Sequence, residues 1–172
     1  MADSTQNIEA EKKSEQEVRV RIKCMIRRDM PEVLAIEAES FEFPWLEDDF
    51  IRCLKQRNCA SMIAEYDDRV VGFMIYEMNK TRLHLLNLAV AFDKRRQGVG
   101  TQIIAELISK FSMQRRTRIM LEVRETNLPA QLFFRANGFR AVSVLRGFYE
   151  DTIEDAYLMQ YKLVSEKKFI FR

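Results

Sequence analysis

The chain has 172 residues, 47% of them hydrophobic, and a formal net charge of +2. That is enough apolar material for one sizeable core, and too little excess charge to make nucleic acid a general partner. No run approaches the roughly 18 apolar residues that cross a bilayer, and the opening MADSTQNIEAEKKSEQE lacks the apolar centre of a secretion signal. The expectation is one cytoplasmic domain, monomeric, with no membrane and no direct nucleic-acid partner.

Residues 1–17 are polar and without aromatics, so they are expected to stay disordered. The domain then runs over 18–164, and 165–172 form a tail. From Val18, VRVRIKCMI alternates in period two and predicts a first strand with one face buried. Asp29 ahead of Met30-Pro31 predicts an N-cap and a helix through about Ser40. FEFPW, Phe41 to Trp45, breaks the pattern before LEDDFIRCLKQ resumes helical spacing. An aromatic loop between helices is either a lid on the core or a wall of a ligand groove, and the residues by themselves favour the lid.

ASMIAEYDDRVVGFMIYEMN reads as an antiparallel hairpin turning at Tyr66-Asp67-Asp68-Arg69. TRLHLLNLAVAF is apolar enough for a strand buried on both faces. Thr101 to about Gln114 carries Ile104, Leu107, Ile108 and Phe111 on a helical stripe. RIMLEVRE puts Ile119, Leu121 and Val123 on one side of a strand and Met120, Glu122 and Arg124 on the other. LPAQLFFRANGF is a short helix stopping at Asn137-Gly138, and AVSVLRGFYEDTIEDAYLMQYKL gives two strands around a polar loop. The order β-α-α-β-β-β-α-β-α-β-β implies an α/β (α+β) fold, with a mixed central sheet of about seven strands and helices on both faces.

Cys24, Cys53 and Cys59 are odd in number and lack C-x-x-C spacing, which favours reduced structural thiols over a metal site. His84 is the sole histidine and lies within LHLLNLAV, where a hydrogen-bonded strand histidine is favoured over a Ser-His-Asp role. The turn KRRQGVG follows a strand and opens a helix. It gathers unpaired backbone N–H groups, a helix dipole and the charges of Lys94, Arg95 and Arg96 at one point, as phosphate binding requires. It matches neither the P-loop nor the dinucleotide-binding glycine pattern, and a plain helix start with solvated arginines is its alternative.

R-x-x-G-x-G, Arg95 to Gly100 directly after LNLAV, resembles the acyl-coenzyme A signature of the GNAT acetyltransferase superfamily. FPW, LEVRETN, ANGF and RGFY…EDAYLM, in consistent order over roughly residues 19–163, are similar to the RimI-like enzymes that acetylate the N-terminal alanine of ribosomal protein S18. The resemblance implies a GNAT fold whose parallel strands splay around acetyl-CoA. Leu88, Ala89 and Val90 would pair with the pantetheine, and the amides from Arg96 through Gln97, Gly98, Val99 and Gly100 to Thr101 would hold the pyrophosphate. Arg95 would stand at the rim, Asn127 would bond the cofactor, and a strand amide near Leu88 would polarise the thioester oxygen.

A peptide α-amine with a pKa of about 8 is mostly protonated at neutral pH, so transfer needs a base. The resemblance assigns that role to Glu122, the alternative being a cross-strand ion pair with an arginine. Relatives carry an acid tyrosine where this chain has Phe134, beside the cofactor arm, so Tyr149 or water is expected to protonate the leaving thiolate. The resemblance also turns FEFPW into a groove wall. Phe43, Pro44 and Trp45 would then face Phe148 and Tyr149 across a protein or peptide N-terminus, with S18 as the leading partner. Glu150, Asp151, Glu154 and Asp155 would attract a cationic acceptor. No metal is expected, and a lysine- or small-amine-directed GNAT or a catalytically weakened acetyl-CoA binder are the alternatives.

Overall fold

The structure, a computed structural model, describes residues 17–112 and 116–162; the expected arm, except Glu17, and the expected tail lie outside them. In chain order the elements are β1 (Arg21–Cys24), a 3-10 turn (Arg27–Asp29), α1 (Met30–Ser40), α2 (Glu47–Leu54), β2 (Cys59–Tyr66), β3 (Arg69–Met78) and β4 (Arg82–Val90). A second 3-10 turn (Phe92–Lys94), α3 (Val99–Ser112), β5 (Arg118–Arg124), α4 (Leu128–Ala136), β6 (Arg140–Tyr149) and β7 (Glu154–Lys162) complete them. The order of elements is the one expected.

The seven strands form one sheet, β1-β2-β3-β4-β5-β7-β6, antiparallel except where β4 meets β5. Helices cover both faces. Met30, Val33 and Ile36 of α1 and Phe50 of α2 pack with Phe73 and Ile75 on one face. Ile103, Leu107 and Phe111 of α3 and Phe134 of α4 pack with Met74, Tyr76, Leu121 and Val123 on the other. The β2–β3 hairpin turns on Asp67 and Asp68 with φ of 49° and 57°, the paired left-handed geometry of a type I′ turn, which Asp tolerates better than bulkier residues.

Three local expectations differ. The first strand begins at Arg21 rather than Val18, because Val18 N–H donates to Gln97 O (3.0 Å) and Val20 N–H to Gln102 Oε1 (3.1 Å). Asp29 does not cap α1; its carboxylate accepts from Ile26 N–H (2.8 Å) and closes the 3-10 turn instead. The strand buried on both faces is β3, with helices above and below it, whereas β4 alternates buried and half-buried residues.

The exception in β4 positions the site. It pairs with β5 only through Arg82↔Arg118, Leu83↔Ile119 and His84↔Met120, although β4 continues to Val90 and β5 to Arg124. Beyond His84 the two strands diverge, which frees the β5-facing edge of β4. On the β3 side Ile75 pairs with Asn87 and Tyr76 with Leu85, so Leu86 is a bulge residue. The bulge resets the alternation and turns Asn87, with Leu86, toward α1.

Candidate active site

The wedge between β4 and β5 holds two cavities, of about 220 and 590 Å³. They share Phe41, Leu88, Asn127, Ala130 and Phe134 in their walls, so they are two compartments of one cleft.

The larger compartment is lined by Leu88, Ala89, Val90, Lys94, Arg95, Arg96 and the start of α3 at Gly98, Val99, Gly100 and Thr101. Arg96 and Gly98 both take left-handed backbone, φ 63° and 80°. Turns of this kind make concave nests of N–H groups, here reinforced by the α3 dipole. Ala89 and Val99 are almost fully buried, so they face the cleft with main chain rather than side chain. A Cβ on Gly100 would lie 3.0 Å from the Phe133 ring, so that glycine lets α3 approach α4 closely. Arg95 is not a solvated charge: its guanidinium donates to Val90 O (2.9 Å) and Ser40 Oγ (2.8 Å), binding the turn to β4 and α1. Gln97 is not in the lining; its carboxamide donates to Asp93 O (2.9 Å). Leu88–Val90 and the turn around Gly98 thus border one compartment, with the cationic Lys94, Arg95 and Arg96 beside them.

Asn127 sits where the compartments join. Its Oδ1 accepts from Ala130 N–H (3.1 Å) and caps α4. Asn127→Ala should therefore destabilise the fold by about 1 kcal/mol, readable as a lower urea midpoint at unchanged m. Phe134 stands over the junction, 8% exposed, its ring 5.2 Å from that of Phe133 and 5.5 Å from that of Phe139.

The smaller compartment is lined by Phe41, Phe43 and Trp45, by Glu122 and Arg124, and by Tyr149 stacked on Arg124. FEFPW is thus a cleft wall, although Trp45 also packs edge-on to Phe50 of the core, 5.5 Å between centroids. Pro44 and Phe148 are not in the lining; Phe148 is 46% exposed and leans edge-on against Tyr149.

Glu122 projects away from the core face of β5, as expected, but its partner is a histidine rather than an arginine. His84 Nε2 lies 2.6 Å from Glu122 Oε2 at the level where the strands part. His84 is thus a hydrogen-bonded strand histidine, as expected, behind the cleft-lining Glu122; which partner it takes follows from the parallel register of β4 and β5, and nothing local to LHLLNLAV signals it.

Arg124 ties the other walls together. It donates to Asp151 Oδ2 and Glu154 Oε2 (both 2.8 Å) and lies 3.9 Å from the Tyr149 ring centroid and 5.5 Å from that of Phe43. Hydrogen bonds from Arg124 hold both carboxyls below their usual range. Asp155 is held low by Gly147 N–H and Arg146. Of the acids expected to attract a cationic acceptor, Asp151 and Glu154 are therefore committed to Arg124 of β5 and Asp155 to the β6–β7 hairpin. Burial pushes the Tyr149 phenol up, so it keeps its proton at neutral pH.

The cysteines stay outside this chemistry. Cys24, Cys53 and Cys59 are free thiols, and burial beside Cys53 pushes Cys59 up to about 12. Among the described residues no group of three or more metal-ligating side chains converges, and no helix is long and apolar enough to cross a membrane.

Residues 30–139 match the acetyltransferase (GNAT) family. An uncharacterized N-acetyltransferase of Methanocaldococcus jannaschii is 33% identical over 141 residues, 81% of this chain and 90% of that protein. An N-alpha-acetyltransferase of Sulfurisphaera tokodaii is 34% identical over 123 residues, 64% of this chain and 73% of its own. The ribosomal protein bS18-alanine N-acetyltransferase of Escherichia coli is 29% identical over 133 residues, 76% of this chain and 89% of its own. The crystal structure of the E. coli ribosomal-protein-S18-alanine N-acetyltransferase superposes with a TM-score of 0.78 at 24% identity, over 90% of this chain and all of that one. GNAT acetyltransferases use acetyl-CoA as the acetyl donor, and a GNAT family acetyltransferase from Elizabethkingia anophelis has been crystallised with acetyl-CoA bound. By fold, by cleft and by sequence, this chain belongs to the GNAT family and is an N-acetyltransferase.

Proposed function

We propose that this acetyltransferase acts on the N-terminal α-amine of a protein or peptide, by direct transfer, with an S18-type N-terminal alanine as the leading acceptor. The observation that carries the reading is Glu122, which lines the smaller compartment with its carboxylate bonded to His84 (2.6 Å), in a cleft that the larger compartment shares. The names of the S. tokodaii and E. coli relatives support the same class of acceptor.

Bound acetyl-CoA supplies an activated carbonyl. Leu88 to Val90 and the turn around Gly98 hold and orient the donor. Phe41, Phe43 and Trp45 form the wall against which an acceptor chain lies. Glu122 Oε2 takes a proton from the acceptor ammonium, directly or through one water, and His84 steadies the carboxylate. Tyr149, kept protonated by burial, offers its phenolic proton where Phe134 has none. The test is an acetylation screen with peptides that differ only in a free or blocked N-terminus. Acetylation confined to free N-termini is expected; transfer to a blocked peptide through lysine would defeat the reading.

The second reading, an acetyl-CoA binder with weakened catalysis, rests on Phe134, whose ring occupies the junction without a hydroxyl. Phe134→Tyr should raise kcat several-fold if thiolate protonation limits turnover. Tight cofactor binding without turnover in both proteins would favour the binder.

A further inference from the structure

The geometry points to Glu37 as the positioning residue of the acceptor site: one buried carboxylate fixes the tryptophan wall to the bulge of β4. The inference rests on the reading that the smaller compartment receives the acceptor.

Glu37 lies on α1, 1% exposed, on the floor of that compartment. Each of its oxygens has its own donor. Oε1 accepts from Trp45 N–H (2.8 Å), and Oε2 accepts from Asn87 Nδ2 (3.1 Å). Burial pushes its pKa up while the two donors pull it down, the balance of a desolvated carboxyl kept by specific bonds. Burying such a group is costly unless it is fully bonded, so its presence beside an apolar core calls for a use.

Its two donors explain that use. Asn87 follows the bulge residue Leu86 and precedes Leu88, the strand residue whose main chain borders both compartments. Trp45 ends the FEFPW segment, which lies between α1 and α2 and belongs to no helix or strand. Trp45 N–H is therefore anchored by a side chain rather than by a ladder, and the anchor is shared with the strand that presents the donor. Glu37 thereby sets the spacing between acceptor wall and donor strand without touching either reactant.

The chain carries a single tryptophan, Trp45, so the wall reports on itself. In Glu37→Leu, both bonds are lost at similar volume. Acrylamide quenching of Trp45 should rise at least twofold, KM for the acceptor peptide should rise about tenfold with kcat within twofold, and the affinity for coenzyme A should stay within twofold. Glu37→Gln keeps an acceptor oxygen for Trp45 and should restore quenching close to the wild-type value. If Glu37→Leu does not fold, hydrogen exchange of wild-type Trp45 N–H decides: exchange as fast as in an open loop overturns the proposal. Unchanged quenching and unchanged peptide KM in a folded Glu37→Leu protein also overturn it, as does a parallel loss of coenzyme A affinity. Should the wild type acetylate no peptide, the fluorescence and exchange results still decide on Glu37, while the functional reading fails separately.

Discussion

Replacing Glu122 by glutamine should lower kcat by about 10² or more while leaving the affinity for acetyl-CoA near that of the wild type. The substitution is close to isosteric and keeps a carbonyl oxygen for His84, so the cleft should hold its shape. What it removes is the ability to accept a proton. Glu122 lines the acceptor compartment and is absent from the lining of the larger one, which is why donor affinity should be spared. A purely structural His84–Glu122 pair predicts another pattern. It bridges β4 and β5 where their backbone pairing ends, so its loss would lower the melting temperature and leave kcat in place. Steady-state rates at saturating acetyl-CoA, set beside calorimetric affinities, separate the two; an unchanged rate would remove Glu122 from the chemistry.

Gly98→Val should weaken coenzyme A binding by roughly 10- to 100-fold, the equivalent of about 1–3 kcal/mol of backbone strain. The reason is conformational. At φ 80° a β-branched residue is a strong outlier, and relaxation to negative φ would open the nest of N–H groups. A Cβ at this position would point to Glu17, 3.0 Å from its Cγ, and that flexible side chain can move aside. Gly98→Asn, which tolerates left-handed backbone, should therefore bind nearly as well as the wild type. Equal affinity in Gly98→Val would reduce the turn to an ordinary helix start.

The element order was readable because each segment carries its own pattern: period two in VRVRIKCMI and β5, apolar runs joined by a polar turn in β2 and β3, and period 3.6 in α3. The outward projection of Glu122 followed from the alternation of Ile119, Leu121 and Val123 alone. Properties set by a neighbour distant in sequence were not readable. His84 and Glu122 meet across 38 positions, through a parallel register that no local pattern encodes. The alternation of buried and half-buried residues in β4 goes with a bulge at Leu86 and the departure of β5 beyond His84, and a strand dense in leucine signals neither. Asp151 and Glu154 were visible as charges, but not as the two arms of one clasp around Arg124.

Val18, bonded to Gln97 on one side and through its carbonyl to the Gln102 carboxamide (2.6 Å) on the other, makes the leading segment a brace for the Gly98 turn. The Gly98 turn is therefore not a self-contained loop that would survive grafting onto another scaffold. A fusion or truncation that disturbs Val18 would loosen the same bonds that shape this turn.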